Sequence, residues 1–392
     1  MPSTLPLQPG ILEHLAEDVA MRRLLHSQPE LGLEEFQTSD RVAEQLARLG
    51  YEVHRGLAGT GLVARLRRGS GARSLGLRAD MDALPMQEAT GLPYASQHPG
   101  RMHACGHDGH TAALLAAARH LAGHGCFSGT LNLIFQPAEE GLGGARRMIE
   151  DGLFQRFPCD AVFALHNMPG DPAGRFGVLP GRFMASSDTV AITVRGRGGH
   201  GSAPHLCVDA AVAAAHIVVA LQTVVARNVD PRQMAVVSVG SLHAGSVANV
   251  IAETAQLQLT VRAYAAEVRT ALRERIISLV QGQARTLGAE VDIDYQWRYP
   301  ALCNDPTMAA FAAKVVADAF GEQALIQDLQ PLTGSEDFSF MLEARPGCYL
   351  VIGAGDEPER SGLHSPGYDF NDEILPVAAS YWVHLAEAFL VN

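Results

Sequence analysis

Apolar residues in the first part of the chain follow two spacings in turn. Helical spacing covers residues 11–27 and 34–49, and the second stretch ends at Gly50. Beyond it, short apolar runs typical of strands occur at 61–66, 74–79, 131–135 and 161–165, with helical patterns at 111–120 and 144–151. Short apolar strands separated by helices predict an α/β domain with a mainly parallel sheet and helices on both faces.

The pattern changes near Ser187. A half-buried strand alternates over 189–195, and it is followed by a helix at 208–227, strands at 235–242 and 255–262, a helix at 268–287 and a strand at 291–297. This β-α-β-β-α-β order is that of a split βαβ, ferredoxin-like α+β domain. The α/β pattern then resumes, with a helix at 306–320, a strand at 348–352 and a helix at 374–390. We therefore predict a discontinuous α/β domain, 1–187 and 301–392, with an inserted domain at 188–300.

Charge and cysteine usage narrow the classes of function. The chain has 30 Lys and Arg against 42 Asp and Glu, a formal charge of −12, which argues against nucleic acid or an anionic membrane as partner. The first ten residues have neither basic residues nor an apolar run, so they do not predict a secretory signal. The apolar stretch 210–226 is interrupted by His216 and Gln222 and is shorter than the ~20 residues of a membrane span. Six scattered cysteines suggest reduced thiols, and we expect a cytoplasmic protein.

The segment 102–110 concentrates potential metal ligands, among them Cys105 and His107, with Asp108 beside them. A thiolate and an imidazole two residues apart can face one divalent ion where the chain is extended. Zinc and similar metals accept this mixture of sulfur, nitrogen and oxygen. The alternative is a loop whose histidines cap the following helix, but the clustering favours metal.

A pair of carboxylates, Glu139 and Glu140, follows the apolar strand 131–135. α/β enzymes build their sites at the carboxyl ends of parallel strands. Neighbouring side chains of an extended chain point to opposite sides, so one carboxylate can bind metal while the other faces the substrate water. Such a pair is usually a solvated surface feature, but its place after a buried strand favours a functional role.

Two further histidines stand at the ends of predicted elements. His166 ends the strand 161–165, and His364 lies in a turn-rich loop before the last helix. Each alone is as readily a core or loop-tip residue. Together with Cys105, His107 and Glu140, however, they supply enough ligands for two metal ions.

These motifs, in this order, resemble the metallo-amidohydrolases of the aminoacylase and carboxypeptidase G clan, and within it the hippurate hydrolase and auxin-conjugate hydrolase group. The resemblance runs from about residue 14 to 390, and a cysteine in the first metal segment is typical of this branch. The family often has proline where this chain has Ala252, which concerns only the local loop. The resembling segments are 78–85, 102–110, 136–141, 165–167, 198–205, 248–251, 334–338 and 363–366.

The resemblance implies two divalent ions, of zinc, manganese, cobalt or nickel. It implies that Glu139 is the general base, which takes a proton from water and passes it to the leaving amine nitrogen. Asp80 would support the geometry of the ligands. The implied metal ligands are Cys105, His107, Glu140, His166 and His364.

The resemblance also implies that the inserted domain is a lid and dimerisation domain. His200 would donate a hydrogen bond to the developing oxyanion, from its own subunit or from the partner of a homodimer or dimer-based oligomer. Asn249 would help to hold the substrate, and Arg262 would lie near the substrate carboxylate.

The function expected is hydrolysis of the amide bond of a small N-acyl amino acid, such as a hippurate-like or N-acetyl substrate. A metallo-dipeptidase or carboxypeptidase is the main alternative. A cysteine hydrolase using Cys105 as nucleophile would leave the two glutamates, His166 and His364 without a role. A non-catalytic relative that binds metal or ligand is a further alternative, against which the intact Glu139 argues.

Overall fold

The computed structural model describes residues 5–357 and 361–391, which form two compact units. Unit 1 contains the residues up to Gly181 together with Cys303–Pro331 and those from Asp337 onward. Unit 2 contains Arg182–Leu302 and also Leu332–Glu336, so its bounds are wider than the predicted insertion at 188–300. Residues 1–4, 358–360 and 392 of the predicted α/β domain lie outside the described residues.

A seven-stranded sheet forms the centre of unit 1. Its strands, in spatial order, are β1 (Glu52–Leu57), β2 (Gly61–Arg68), β4 (Gly129–Gln136), β3 (Ser74–Asp80), β5 (Ala161–Pro169), β15 (Gly347–Gly355) and β6 (Phe176–Gly177). The central neighbours β4, β3, β5 and β15 pair in parallel, whereas the pairs at both edges are antiparallel. The carboxyl ends of parallel strands lie at the same edge of a sheet. Asp80, Gln136 and His166, in the C-terminal parts of β3, β4 and β5, are therefore close to that edge.

Helices cover this sheet. They are α1 (Pro9–Leu12), α2 (Leu15–Ser27), α3 (Phe36–Arg48), α4 (His107–His124), α5 (Gly144–Glu150), α6 (Leu153–Arg156), α9 (Pro306–Phe320), α10 (Ser339–Ala344) and α11 (Leu375–Phe389), with 3₁₀ turns at Glu322–Ala324 and Asp372–Ile374. The single helix predicted over 11–27 is wrong, because His14 leaves the helical region (φ −113°, ψ 10°) and separates α1 from α2. Apolar spacing continues on both sides of the break and so could not reveal it.

Unit 2 is built on a four-stranded antiparallel sheet. In spatial order its strands are β10 (Ala235–Ala244), β12 (Thr254–Ala263), β8 (Ser187–Arg195) and β13 (Glu290–Tyr299). Helices α7 (Ala210–Asn228) and α8 (Ala266–Thr286) pack on the sheet, a 3₁₀ turn covers Pro204–Leu206, and β9 (Gly199–His200) pairs with β11 (Val250–Ile251). The short strands β7 (Gly181–Met184) and β14 (Leu302–Asn304) lie where the chain passes from one unit to the other. The β-α-β-β-α-β order matches the sequence prediction.

Helix α7 is the one described helix that is long and apolar enough to cross a membrane by length and composition. Its buried face, with Ile217, Leu221 and Val224, belongs to the apolar core of unit 2. Core helices of soluble proteins meet the same criterion, so the length and composition of α7 are weak evidence for a membrane span.

Candidate metal centre

Cys105 and His107 are brought together by a left-handed glycine. Gly106 has φ 90° and caps α4, and His107 is the first residue of that helix. A left-handed turn, and not an extended chain, therefore places the two side chains together. A Cβ atom at position 106 would collide with Asn167 Oδ1, so only glycine fits the turn. The turn allows the Cys105 sulfur and one nitrogen each of His107 and His166 to lie within 4.8 Å of one another.

The two glutamates are presented by a second left-handed residue. β4 ends at Gln136, and Ala138 has φ 56°. As a result, a carboxylate oxygen of Glu139, one of Glu140 and a nitrogen of His107 all lie within 4.8 Å of one another. Both carboxylates thus approach the same His107 ring, in contrast to the expectation that they point to opposite sides.

His364 completes the group, and it too has a left-handed backbone (φ 60°). Its backbone N–H donates to the Ala104 carbonyl at 2.8 Å, and its ring Nε2 lies 3.0 Å from Glu140 Oε1. Hydrogen bonds with Cys105 and Glu140 raise the pKa of His364 to about 10. One atom each of Cys105, Glu140 and His364 lie within 4.8 Å of one another. Three overlapping groups in unit 1 thus bring together all five predicted ligands and Glu139.

The histidine rings are held in orientations that suit metal binding. His166 Nδ1 is 2.7 Å from the Asn167 carbonyl oxygen, to which it must donate, so its Nε2 carries the lone pair 3.4 Å from Cys105 Sγ. His107 Nδ1 is 3.2 Å from Asp82 Oδ1. The opposite nitrogen of His107, Nε2, is buried and has no hydrogen-bond partner among the described residues. A buried nitrogen without a partner, beside a thiol, two more imidazoles and two carboxylates, fits a divalent metal such as zinc.

The electrostatics of the group depend on burial and on its own charges. Burial and the charge of Glu140 raise the pKa of the Cys105 thiol. Burial also lowers the pKa of His166 well below its ordinary value, which favours the neutral, metal-binding form. For His107 burial acts in the same direction, but the charges of Asp80 and Cys105 outweigh it and raise the pKa. A cation in this set would therefore displace protons from several of its ligands.

Asp82 is a supporting residue to which the sequence analysis gave no role. Its Oδ1 pairs with His107, and its Oδ2 accepts the backbone N–H of Glu140 at 2.9 Å. Asp80, which was predicted to support the ligands, lies 3.7 Å from His107 Nε2 and pairs more closely with His110 Nδ1, at 2.6 Å. The sequence contained a signal for Asp82, because residues i and i+2 of an extended chain point to the same side and Asp80 was already predicted to support the ligands.

A second buried chain of contacts lies behind the ligands. His110, one turn after His107, places Nε2 2.7 Å from Asn167 Oδ1, and Asn167 Nδ2 donates to the Tyr368 hydroxyl at 2.7 Å. Burial alone would raise the pKa of Asp80, but the charges of Arg78 and of the neighbouring histidines hold it well below its ordinary value. These contacts join segments distant in sequence, so no local pattern could have predicted them.

Glu139 is held by Asp337. The backbone N–H of Asp337 donates to Glu139 Oε1 at 3.3 Å, and Glu139 is only 7% exposed. The Asp337 carboxylate is itself fixed by Gln136 Nε2 at 2.8 Å and by the Ala145 N–H at 2.9 Å. The segment 334–338 was part of the resemblance, but no role had been predicted for Asp337.

The other three predicted site residues belong to unit 2. His200 is exposed on β9, and its Nδ1 accepts the Ser202 N–H at 3.1 Å, which places the proton of the neutral ring on Nε2. Exposed Asn249 adjoins this turn, because its carbonyl accepts the Gly201 N–H at 2.8 Å. Half-buried Arg262 donates to the Ser335 hydroxyl at 2.9 Å.

Known proteins are similar to this chain in both sequence and fold. The family model described as Peptidase family M20/M25/M40 matches residues 76–388. This chain belongs to that family. It is 45% identical over 384 residues to the hippurate hydrolase of Campylobacter jejuni, and the alignment covers 98% of this chain and 99% of the relative. It is 38% identical over 368 residues to the N-acetyl-L-cysteine deacetylase of Bacillus subtilis, covering 93% of this chain and 86% of the relative.

A solved structure agrees with these matches. The YXEP protein of Bacillus subtilis, described as a dinuclear metal binding peptidase from the M20 family, superposes with a TM-score of 0.82 at 33% identity, covering 97% of this chain and 99% of that one. The predicted family and the α/β fold class are therefore confirmed. So is the prediction of a hydrolase acting on amide bonds.

Proposed function

We propose that this M20 family member is a two-metal amidohydrolase that cleaves N-acyl amino acids to a carboxylic acid and an amino acid. The observation that carries the proposal is the convergence of a thiol, three imidazoles and two carboxylates in overlapping groups. Within them, the buried Nε2 of His107 has no hydrogen-bond partner among the described residues. The names of the hippurate hydrolase and the N-acetyl-L-cysteine deacetylase support an N-acyl amino acid as substrate.

The ions would be held by Cys105, His107, Glu140, His166 and His364. Bound there, they would supply Lewis-acid chemistry that activates a water molecule and polarises the scissile carbonyl. Glu139 takes the proton from the attacking water and delivers it to the leaving nitrogen. The Asp337 N–H on Glu139 Oε1 keeps the carboxylate in place for both transfers.

Unit 2 supplies the remaining groups of the proposed reaction. His200, whose Nε2 carries the proton, donates to the developing oxyanion, an interaction worth ~3 kcal/mol for one donor. Asn249 helps to hold the substrate, and Arg262 lies near its carboxylate. We further propose that unit 2 is a lid through which a homodimer forms.

Two alternatives to this function remain, a cysteine hydrolase with a different mechanism and a dipeptidase with a different substrate. A cysteine hydrolase needs a thiolate at Cys105, but burial and Glu140 raise the pKa of that thiol. A dipeptidase would use the same centre on a substrate with a free amine, so only its substrates would distinguish it. Both alternatives are tested by the experiment that tests the proposal.

The experiment combines metal removal with a substrate screen. Protein dialysed against a chelator and shown by elemental analysis to be metal-free should be inactive, and manganese, cobalt, nickel or zinc should restore activity. Restored protein is then assayed on N-benzoyl, N-acetyl and indoleacyl amino acids beside dipeptides. Full activity without metal would contradict the metal mechanism, and faster hydrolysis of dipeptides would replace the N-acyl substrate.

A further inference from the structure

Glu35 stands at the N-cap of α3 but does not cap that helix. Its side chain makes no capping hydrogen bond, although it is fully buried. The N–H groups of the second and third residues of α3 are satisfied by Glu30 instead, whose carboxylate accepts from Gln37 N at 3.1 Å and Thr38 N at 2.8 Å. Because Glu30 takes the capping role, the Glu35 carboxyl is available for partners outside its own helix.

One of those partners, Ala138, belongs to the turn that presents Glu139 and Glu140, and the other, Thr60, directly precedes β2. Glu35 Oε1 accepts the Ala138 N–H at 2.8 Å, and Oε2 accepts the Thr60 hydroxyl at 2.5 Å. Ala138 is completely buried, and its backbone is left-handed, a conformation that residues other than glycine rarely adopt. On its other side, the Ala138 carbonyl accepts the Gly144 N–H at 3.0 Å. Without Glu35 the Ala138 N–H would be buried and would lose this acceptor.

The rest of the same segment reaches the neighbouring loop of the centre. The Glu30 carbonyl accepts the N–H of Ala83, the residue after Asp82, at 2.8 Å. A Cβ atom on Gly32 would approach Ala138 Cα to 3.0 Å, which shows how closely the segment packs on the turn. Residues 30–35 therefore contact both the Asp82 loop and the turn of Glu139 and Glu140.

We infer that Glu35 is a positioning residue: its carboxyl fixes the left-handed Ala138 turn, so that Glu140 meets the metal ligands and Glu139 meets the water to be deprotonated. The catalytic part of this inference rests on the proposed function. Burial raises the pKa of Glu35 to about 7, and a neutral carboxyl or an amide oxygen can accept the Ala138 N–H as well. What matters is the reach of the side chain rather than its charge.

The test compares three replacements of Glu35. Glu35→Gln keeps the length, with the amide oxygen on Ala138 N and the amide N–H on the Thr60 oxygen. Glu35→Asp keeps the charge but is too short, and Glu35→Ala loses both contacts. Cobalt titration of the metal-free proteins, followed by the absorption of thiolate-bound cobalt, gives an affinity that does not depend on turnover. Loss of an outer hydrogen-bond partner of a metal site typically lowers metal affinity or activity ~10–100-fold. Glu35→Asp and Glu35→Ala should therefore lose ~10-fold or more in cobalt affinity and in kcat, with a smaller change in KM. Glu35→Gln should stay within about threefold of the wild type.

Two neighbouring glutamates provide matched controls. Exposed Glu34, paired with Arg101, should be replaceable by alanine without effect. Glu30→Ala removes the cap of α3 and should lower the urea midpoint while leaving cobalt affinity near normal, which separates positioning from a general loss of stability.

Three results would overturn the inference: wild-type affinity and kcat in folded Glu35→Ala, better function in Glu35→Asp than in Glu35→Gln, or equal losses in Glu30→Ala at equal stability. A failure of the proposed function would look different. The wild type would then bind cobalt but hydrolyse no N-acyl amino acid, and the cobalt affinities would still test Glu35.

Discussion

Glu139 and Glu140 have the same side chain and adjacent positions, but their surroundings differ. Glu140 is half-buried, lies 3.0 Å from His364 Nε2 and donates its backbone N–H to Asp82. Glu139 is more deeply buried and is held through Oε1 by the Asp337 N–H. Contact with another candidate ligand suits Glu140 to metal binding, whereas the backbone hydrogen bond from Asp337 holds Glu139 in place for proton transfer.

Separate replacement of each glutamate by glutamine tests this division of roles. Glu139→Gln keeps size and shape but removes the base, so we expect kcat to fall by ~10² or more with near-normal metal content. Glu140→Gln should lose metal as well as activity. Steady-state kinetics and elemental analysis of both variants provide the measurement, and a reversed pattern would mean that the two roles are exchanged.

The residues with strong individual chemistry could be predicted from the sequence, whereas of the residues that support them only Asp80 was predicted, through the family resemblance. Cys105, His107 and His364 stand in turn-rich or clustered segments and attract attention through residue type alone. Asp82 and Asn167 act through hydrogen bonds to His107 and His110, so their partners depend on how α4 packs beside the ends of β3 and β5. A carboxylate or an amide in a strand end gives no local indication of which imidazole it will meet.

At the scale of elements, the start of α4 has the largest consequence for the site. Gly106 turns the chain with φ 90°, and one residue later His107 opens a helix that is buried along most of its length. The position of the His107 ring is therefore set by how α4 begins rather than by a flexible loop.

Gly106→Ala should displace that helix start. A left-handed alanine costs ~1–2 kcal/mol, and here its Cβ would also meet Asn167 and the Tyr368 hydroxyl. We expect the free energy of unfolding to fall by ~2 kcal/mol or more and the metal content to drop. Gly123→Ala is the matched control, since it lies in the same helix with nothing within 4 Å of the added Cβ, and it should stabilise slightly. Urea unfolding and elemental analysis decide, and a Gly106→Ala protein as stable and metal-rich as the wild type would contradict this account.

Element prediction succeeded where burial imposes a regular period and failed where the backbone turns. Strand β12 alternates buried and exposed residues along most of its length and was placed correctly, as was α9. Strand β1 was missed, because Glu52, His54 and Arg55 make it polar and it lies at the edge of the sheet. The left-handed conformations of Gly106 and Ala138 were not predicted, because apolar periodicity contains no information about a left-handed residue.

At the scale of the whole molecule, the predicted site residues divide between two units. The predicted ligands and Glu139 belong to unit 1, and His200, Asn249 and Arg262 belong to unit 2. In the proposed reaction unit 2 takes part only through groups that do not bind metal. Metal content and turnover should therefore be separable by changes in unit 2.

His200→Ala provides that separation. We expect the variant to keep its fold and metal but to lose most of its turnover, because a preorganised oxyanion donor is removed. If His200 acts on the site of a partner subunit, mixing inactive His200→Ala with inactive Glu139→Gln should restore part of the activity through hybrid dimers. Near-normal turnover in His200→Ala would remove unit 2 from the mechanism, and verified hybrids without activity would mean that each subunit serves its own site.

The scattering of the candidate ligands over four segments of unit 1 has a thermodynamic consequence. Cys105 and His107, Glu140, His166 and His364 meet only after α4, β4, β5 and the loop before α11 have assembled. An unfolded chain offers no comparable site, so a bound ion acts as a selective ligand of the native state and adds ~2.7 kcal/mol at a concentration 100 times its Kd. Under the proposed function, the melting temperature of this protein therefore depends on the concentration of free metal ion as well as on the chain. A chelator in the buffer should lower it, and added metal ion should raise it.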